Sequence, residues 1–224
     1  TGTTSITKVD ELVNYNIHYD AEISGYTGDL IITMIDKLPY PIDITKSTIS
    51  GNYEYDETKQ TIKWIILDET NILPEQVIPV NFEVNASLSY IGIDASDDEF
   101  VNTVEIHIQD GTQNEDIQTE EHKTTIDVLG NVIVKHVDNN TGKEISEVSP
   151  VNLTGKVGEN YTTTSVYIDG YELVTSKLPN NSTGTYIDDT IYVTYYYQKK
   201  DIEVTDESID KLSSTNKILS LKQE

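Results

Sequence analysis

Residues 132–138 read Val-Ile-Val-Lys-His-Val-Asp, a β-branched run that ends in an acid. A turn follows at residues 138–142, in which Asn140 and Gly142 tolerate the left-handed backbone conformation. Strand-like runs alternate with glycine turns in the same way as far as Lys200. The stretch Gly130–Lys200 is therefore predicted to fold as a compact β unit.

This unit carries five motifs in a defined order. They are V-x-V-x-x-V-D at 132–138, L-T-G-x-V-G-x-x-Y at 153–161, I-x-G-Y-E-L-V at 168–174, T-G-T-Y at 183–186 and a tyrosine-rich strand at 191–197. Together they closely resemble the mucin-binding (MucBP) repeat of surface proteins from Gram-positive bacteria. The resemblance implies a small β-grasp-like domain at residues 129–200 within an adhesin-type protein, and it names no ligand, because fold does not fix function.

Composition excludes several classes of partner. Fifteen basic residues, all lysine, stand against 39 acids, which gives a formal charge of −24. Nucleic acid and anionic membrane surfaces would both repel such a chain. Cysteine is absent, so disulfides cannot supply the stability of an extracellular domain. The four histidines are scattered without metal-ligand or catalytic spacing, so neither a metal nor a cofactor is predicted and the chain is not expected to be an enzyme.

Residues 1–128 are predicted to form an immunoglobulin-like β-sandwich. The clearest strand is Ile78–Tyr90, where apolar residues share one parity and polar residues the other, as in a sheet with one dry face. Leu30–Leu38 and Thr61–Leu67 are further strands, and the single tryptophan, Trp64, is expected in the core. Many short strands joined by turns favour this sandwich over other all-β folds.

A second resemblance concerns the sandwich. Its motifs are V-x-Y-x-I-x-Y at 13–19, Ile-Asp-Lys-Leu-Pro at 35–39, Ile-Lys-Trp at 62–64 and Val-Asn-Thr-Val at 101–104. They resemble a collagen-adhesin A-type (D2-like) domain, a stalk module that joins a lysine to an asparagine by an isopeptide bond with the help of an aspartate. The resemblance implies an autocatalytic cross-link between Lys8 and Asn102, assisted by Asp36. It is weakest at the N-terminus, so the lysine is either Lys8 or a residue upstream of Thr1.

Strand parity supports the choice of Asp36 and Asn102. Asn102 shares its face with Phe100, Val104 and Ile106, and an amide among such neighbours costs a few kcal/mol unless something engages it. Burial would also raise the pKa of Asp36 and lower that of the lysine, which favours a protonated acid and a nucleophilic amine. The alternative is that Lys8 is a surface lysine and that Asn102 caps a buried backbone group.

Two further features have alternative interpretations. The tyrosines could form a stacking platform for sugars, or they could cover a thin core with their rings; they are Tyr186, Tyr192, Tyr195, Tyr196 and Tyr197. The acidic run at residues 94–99 could bind Ca²⁺, but its spacing matches no calcium loop, which favours a solvated loop.

The rest of the chain is predicted to link and extend these domains. Gln109–Glu121 is polar and is expected to be a connector, and residues 201–224 are expected to be a linker or flexible tail. The sequence indicates a piece of a longer modular chain, monomeric in itself and without membrane insertion. The expected function is that of a non-catalytic segment of a bacterial cell-surface adhesin, outside the cell, that binds mucin or another host or matrix glycoprotein or acts as a rigid stalk. The alternative is an accessory region of a secreted glycan-degrading enzyme.

Overall fold

The computed structural model describes residues 1–111 and 115–200, and nearly all of its regular structure is β-strand. The only helical turn within those ranges is the three-residue 3-10 turn Thr175–Lys177, and no helix there is long and apolar enough to cross a membrane. The predicted all-β fold class is therefore confirmed. The strands of these ranges, in chain order, are β1 (Ser5–Ile6), β2 (Val13–Ser24), β3 (Gly28–Lys37), β4 (Thr48–Ile49), β5 (Tyr53–Asp56), β6 (Thr61–Ile72), β7 (Val77–Leu88), β8 (Glu99–Gln109), β9 (Glu115–Ile126), β10 (Leu129–Asp138), β11 (Val151–Lys156), β12 (Asn160–Thr162), β13 (Tyr171–Leu173), β14 (Thr183–Thr185) and β15 (Thr190–Lys199).

The chain divides into two compact units that interleave along the sequence. The first comprises Thr1–Val132, Leu153–Tyr161 and Gly184–Ile191, and the second comprises Ile133–Asn152, Thr162–Thr183 and the described residues from Tyr192 onward. The domain boundary predicted between residues 128 and 129 stays a prediction. The tail predicted at residues 201–224 lies outside the described residues.

The sandwich consists of two sheets. One has three strands in the order β2-β7-β4, and the other has six in the order β1-β9-β8-β3-β6-β5. Strands β2 and β7 pair antiparallel over their whole length, from Val13 opposite Leu88 to Ser24 opposite Val77. The first strand is the exception to antiparallel pairing, because Ile6 runs parallel to β9 opposite Ile126.

Alternation along β7 places the core where the sequence predicts it. Val80, Val84 and Leu88 are buried, while Asn81 and Glu83 are exposed. This pattern follows from the period of two in a strand, which sends successive side chains to opposite faces.

Trp64 fills the centre of the sandwich. Its side chain is only 1% exposed, and its indole nitrogen donates a hydrogen bond to the Ser50 carbonyl oxygen at 3.0 Å. Its neighbour on the same face of β6, Ile62, is fully buried. The predicted role of the tryptophan as a core anchor is therefore confirmed.

The connector predicted at Gln109–Glu121 is wrong for most of its length. Residues from Glu115 belong to β9, which pairs antiparallel with β8 from Gln109 opposite Glu115 to Glu99 opposite Thr125. The side chains of Glu115–Glu121 are exposed on both faces of the strand, so the sequence shows no apolar alternation there. Backbone pairing, rather than burial, makes this polar run a strand.

Residues 129–200 supply a four-stranded sheet in the order β11-β10-β15-β13 and a two-stranded sheet of β12 and β14. Within the second unit the buried apolar side chains come from β10, β15 and the segments that follow β10 and precede β13; they include Val134, Val137, Ile145, Ile168 and Val193. The β-grasp-like arrangement of this region stays a prediction.

Candidate functional site

Asp36 and Asn102 meet in the core of the sandwich. They lie on the neighbouring strands β3 and β8, where Asp36 pairs with Val104, two residues from Asn102. Asp36 is 0% exposed and Asn102 is 1% exposed. The side-chain nitrogen of Asn102 donates a hydrogen bond to Asp36 Oδ1 at 2.6 Å. The structure thus brings together two of the three residues that the resemblance indicated.

Burial sets the protonation of Asp36. Removal from water raises the pKa of the carboxyl group to about 7, although the hydrogen bond from Asn102 lowers it in part. The ionised form is penalised because a buried charge loses its hydration. With a pKa of about 7, Asp36 is partly protonated at neutral pH.

Each residue of the pair keeps one unused oxygen. In the described part of the chain, neither Asp36 Oδ2 nor Asn102 Oδ1 has a hydrogen-bond partner, and both atoms are buried. Unpaired buried polar atoms are uncommon in folded proteins and each requires an explanation. Here both unpaired oxygens belong to the hydrogen-bonded Asp36–Asn102 pair.

Buried aromatic rings lie near the Asp36–Asn102 pair. Tyr15 is 4% exposed, and its hydroxyl lies 3.3 Å from that of Tyr90. Burial raises the pKa of Tyr15 to about 12, with a smaller contribution from the charge of Asp36. The ring of Tyr15 also meets the imidazole of His122 edge-on, with centroids 5.7 Å apart. Tyr15, His122 and Asn102 border the same groove of the sandwich.

Lys8 does not join the pair. Its side chain is exposed in the turn after β1. Asn102 of β8 pairs with His122 of β9, and Ile6 of β1 pairs with Ile126, farther along the same strand β9. Because β1 and β9 run parallel, the residues that follow Ile6 lie still farther from His122. The prediction of Lys8 as the nucleophile therefore finds no geometric support, and its exposed side chain fits the alternative of a surface lysine.

The predicted tyrosine platform divides into buried and accessible rings. Tyr186, Tyr195 and Tyr197 are 8%, 3% and 2% exposed, so these three are core residues and their prediction as ligand contacts is corrected. Tyr192, by contrast, is 56% exposed, and Tyr196 is half-buried. Alternation along β15 explains the division, because Tyr195 and Tyr197 share the parity of Val193.

The buried tyrosines have specific partners. The Tyr197 hydroxyl donates to the Val166 carbonyl oxygen at 2.8 Å, and the Tyr195 hydroxyl lies 3.1 Å from Thr163 Oγ1. The ring of Tyr186 lies against Gly155, where an added Cβ would come within 2.3 Å of a ring carbon. The glycine of the L-T-G motif is therefore required for the close approach of this ring.

Lysines lie over the two accessible rings, a feature that the sequence did not reveal. Lys135 Nζ is 5.2 Å from the ring centroid of Tyr192, and Lys177 Nζ is 5.6 Å from that of Tyr196. Lysine within about 6 Å of an aromatic face is attracted by the ring quadrupole. The outer face of β15 thus combines aromatic surface with positive charge in a strongly acidic protein.

His136 is a second residue that the sequence reasoning missed. It is 3% exposed, stacks on Tyr195 and meets Tyr197 edge-on. Neither ring nitrogen has a hydrogen-bond partner among the described residues, and burial lowers the pKa of the imidazole. Its parity with Val132 and Val134 is the signal that could have placed it inside.

The acidic run at residues 94–99 has protein partners for its carboxylates. No group of three or more His, Cys, Asp or Glu side chains within residues 1–111 and 115–200 is arranged to hold a metal ion. The contacts are Asp94 with Ser96 Oγ at 2.6 Å, Asp97 with the Tyr40 hydroxyl at 3.2 Å, Asp98 with Lys156 at 2.5 Å and Glu99 with Lys123 at 2.7 Å.

Comparisons with known proteins place these features in context. Residues 131–198 match the family model described as the MucBP domain. Internalin J of Listeria monocytogenes serotype 4b (strain F2365) is 37% identical over 89 residues, which are 40% of this chain and 9% of that protein. Internalin J of serovar 1/2a (strain EGD-e) is 37% identical over 95 residues, 39% of this chain and 11% of that protein. The chain spans about a tenth of the length of these relatives.

Solved structures with some similarity include a group B streptococcus pilus 2b backbone protein, with 12% identity, a TM-score of 0.40 and coverage of 89% of this chain and 97% of that one. Another is the collagen-binding domain from a Staphylococcus aureus adhesin, with 16% identity, a TM-score of 0.32 and coverage of 56% and 94%. The five ordered motifs and the family match agree on the same residues. Residues 131–198, less than a third of the chain, are similar to the MucBP domain.

Proposed function

We propose that the chain is a non-catalytic segment of a Gram-positive cell-surface adhesin, in which the sandwich is a covalently cross-linked stalk module for the MucBP domain. The MucBP match and the similarity to Internalin J support the surface context. The observation that carries the stalk role is the buried Asp36–Asn102 pair with its two unused oxygens. The bond is formed once per molecule, so it is self-modification rather than enzymatic turnover.

The geometry supports a definite chemical route. A neutral lysine amine attacks the side-chain carbonyl carbon of Asn102, and the carbon–nitrogen bond to the side-chain amide nitrogen breaks. That nitrogen already lies 2.6 Å from Asp36 Oδ1, so Asp36 is placed to deliver a proton to the leaving group. The carboxylate then regains a proton from the attacking amine. The products are one secondary amide and one ammonia.

The expected benefit is stability in a protein without disulfides. A bond from the start of the sandwich to Asn102 would enclose most of the domain. By analogy with disulfides that close loops of similar length, it adds about 4–5 kcal/mol, chiefly through the unfolded state. The sequence has no cysteine, so a disulfide cannot provide this covalent stabilisation at the cell surface.

Peptide mapping of the protein isolated from its native cell envelope tests this proposal. A protease that cleaves after lysine leaves Asn102 in the peptide 64–123, because no lysine lies between Lys63 and Lys123. We expect this peptide to be joined to a lysine-bearing peptide, with a combined mass one ammonia below the sum of the two. Recovery of peptide 64–123 only in its free form would contradict the cross-link.

A second role is favoured by the outer face of β15. Tyr192 and Tyr196 offer ring surface, and Lys135 and Lys177 place cations beside it. Aromatic faces suit the apolar face of a sugar ring, and ammonium groups can donate hydrogen bonds to its hydroxyls. Together with the MucBP match, this supports weak binding of a mucin-type glycan. A mucin and glycan array with the whole chain tests the idea, and no binding to any glycan would leave the stalk role alone.

A further inference from the structure

Strand β15 presents two accessible tyrosine rings on its outer face at a fixed separation. Tyr192 is 56% exposed and Tyr196 is half-buried, and both have the opposite parity to the buried residues Val193, Tyr195 and Tyr197. The two rings are four residues apart on one strand, which corresponds to about 13 Å. A single sugar is far shorter than this separation, so it cannot contact both rings.

The residue between the two rings on the same face is small. Thr194 is half-buried, and its side chain is much shorter than that of either tyrosine. The order large, small, large along one face leaves room between the two aromatic side chains. An extended ligand that lies along the strand would therefore contact both rings and pass over the Thr194 hydroxyl, which both donates and accepts hydrogen bonds.

Hydrogen bonds on the inner side and at the edges of β15 hold the rings at this separation. The Tyr197 hydroxyl accepts a hydrogen bond from the Val166 nitrogen at 3.1 Å and donates one to the Val166 carbonyl oxygen at 2.8 Å. Asn181 Nδ2 donates to the Tyr192 carbonyl oxygen at 3.0 Å, and the backbone nitrogen of Asn139 donates to that of Tyr197 at 2.7 Å. Side chains on a fixed strand are positioned more precisely than side chains on a loop. The two rings therefore define a site of set length.

An anchored lysine lies beside each ring. Lys135, over the first ring, is held by Glu144, whose Oε1 is 2.7 Å from Lys135 Nζ. Lys177, over the second ring, donates a hydrogen bond to Asn139 Oδ1 at 2.6 Å. An ammonium group has three N–H donors, so each lysine keeps donors for the hydroxyls of a sugar. Because both lysines are already anchored, little side-chain freedom is lost when a ligand binds.

Charge favours an uncharged ligand at this face. The chain has a formal charge of −24, and Glu144 neutralises Lys135, so a polyanionic glycan would be repelled. We propose that the outer face of β15 binds a linear, uncharged oligosaccharide that contacts Tyr192 and Tyr196 at the same time, rather than one terminal sugar. This inference rests on the glycan-binding role proposed above and names the class of glycan.

The test measures the affinity of the whole chain for uncharged N-acetyllactosamine oligomers of one, two, three and four disaccharide repeats by ligand-observed NMR. Tyr192→Ala and Tyr196→Ala each remove one ring, and the corresponding Phe variants keep the ring and so control for loss of folding. Tyr167→Ala removes a ring that is 79% exposed elsewhere and is the matched control. The double variant Thr194→Tyr with Tyr196→Ala brings the two rings to two residues apart, about 7 Å.

We expect the wild-type affinity to rise about two- to tenfold once the oligomer is long enough to contact both rings, because a second aromatic contact then forms. Either Ala substitution on β15 should remove this rise and leave the affinity for a single repeat nearly unchanged, since the other ring still accepts it. The Phe variants and Tyr167→Ala should keep the rise, and the double variant should bind a single repeat more tightly than the wild type does.

The contrary outcomes separate this inference from the role on which it rests. Absence of binding by every oligomer would overturn the glycan-binding role, and the inference with it. Binding that does not depend on oligomer length, or a rise that survives both Ala substitutions, would overturn the inference and leave glycan binding in place. Tighter binding of a sulfated oligomer of the same length would overturn the assignment of an uncharged ligand.

Discussion

The substitution Asp36→Asn is expected to remove a large pH dependence from the stability of the sandwich. Burial raises the pKa of this carboxyl group from an ordinary 3.8 to about 7 in the folded chain. An acid with a raised folded-state pKa binds its proton more tightly when folded, so its contribution to stability is complete below about pH 4. That contribution falls as the pH rises toward 7.

The size of the effect follows from the two pKa values. At 1.36 kcal/mol for each pH unit, the interval from 3.8 to about 7 corresponds to about 4 kcal/mol of unfolding free energy. Hydrogen-bonded carboxyl groups with lowered pKa, such as Asp43 and Asp56, change stability in the opposite direction. The difference between wild type and Asp36→Asn cancels these contributions and isolates the buried acid.

Urea unfolding monitored by tryptophan fluorescence measures this difference. Trp64 is the single tryptophan and is 1% exposed, so its emission reports the sandwich alone. Relative to the Asp36→Asn variant, the unfolding free energy of the wild-type chain without a cross-link is expected to fall by about 4 kcal/mol between pH 4 and pH 8. Asp29→Asn, at an exposed position on the same strand, is the control. If the unfolding free energies of the wild type and of Asp36→Asn change in parallel with pH over this range, the reasoning is refuted.

Four further predictions concern the MucBP domain. Burial lowers the pKa of His136, so wild-type stability is expected to fall as the pH drops below about 6.5. In thermal unfolding His136→Phe should abolish that fall, and a variant with the wild-type pH profile would contradict this expectation. Gly155→Ala is expected to destabilise the domain by about 1–3 kcal/mol in chemical unfolding, because its Cβ would overlap the Tyr186 ring, and unchanged stability would count against that contact. Tyr192→Ala is expected to weaken mucin binding while Tyr167→Ala, at another exposed ring, leaves it unchanged. Wild-type affinity for sialylated or sulfated mucin is expected to hold or improve as salt screens the charge of −24, and a decline with salt would contradict this view.

The sandwich core could be predicted from the sequence because one face of its strands is apolar and buried. Period-two alternation placed Val84, Trp64 and Leu88 inside, and the same parity placed Asn102 among apolar neighbours. Asp36 was indicated by the resemblance, and it shares parity with Leu30, Ile32 and Met34, although Ile31 and Ile35 on the other face blur the pattern. A polar residue on the apolar face of a strand is therefore a usable signal of a buried polar group.

The remaining features depend on contacts that alternation does not record. Strand β9 has no apolar face from Glu115 to Glu121, because its inner side borders the open groove, so it resembles a connector. Lys8 shares parity with Ile6, but the chain turns after β1 and the parity no longer applies. The tyrosines of β15 were grouped by residue type, whereas parity with Val193 separates the buried rings from the accessible ones.

The most direct test of the central claim is the intact mass of the protein at its native length, compared with its Asn102→Ala and Asn102→Asp variants. We expect the wild-type mass to be one ammonia below the sequence mass, and the Asn102→Ala mass to equal its sequence mass. Asn102→Asp should retain the cross-link but lose water instead, because the leaving group is then a hydroxyl. A wild-type polypeptide at its full sequence mass would contradict the claim that Asp36 and Asn102 form a cross-linking site.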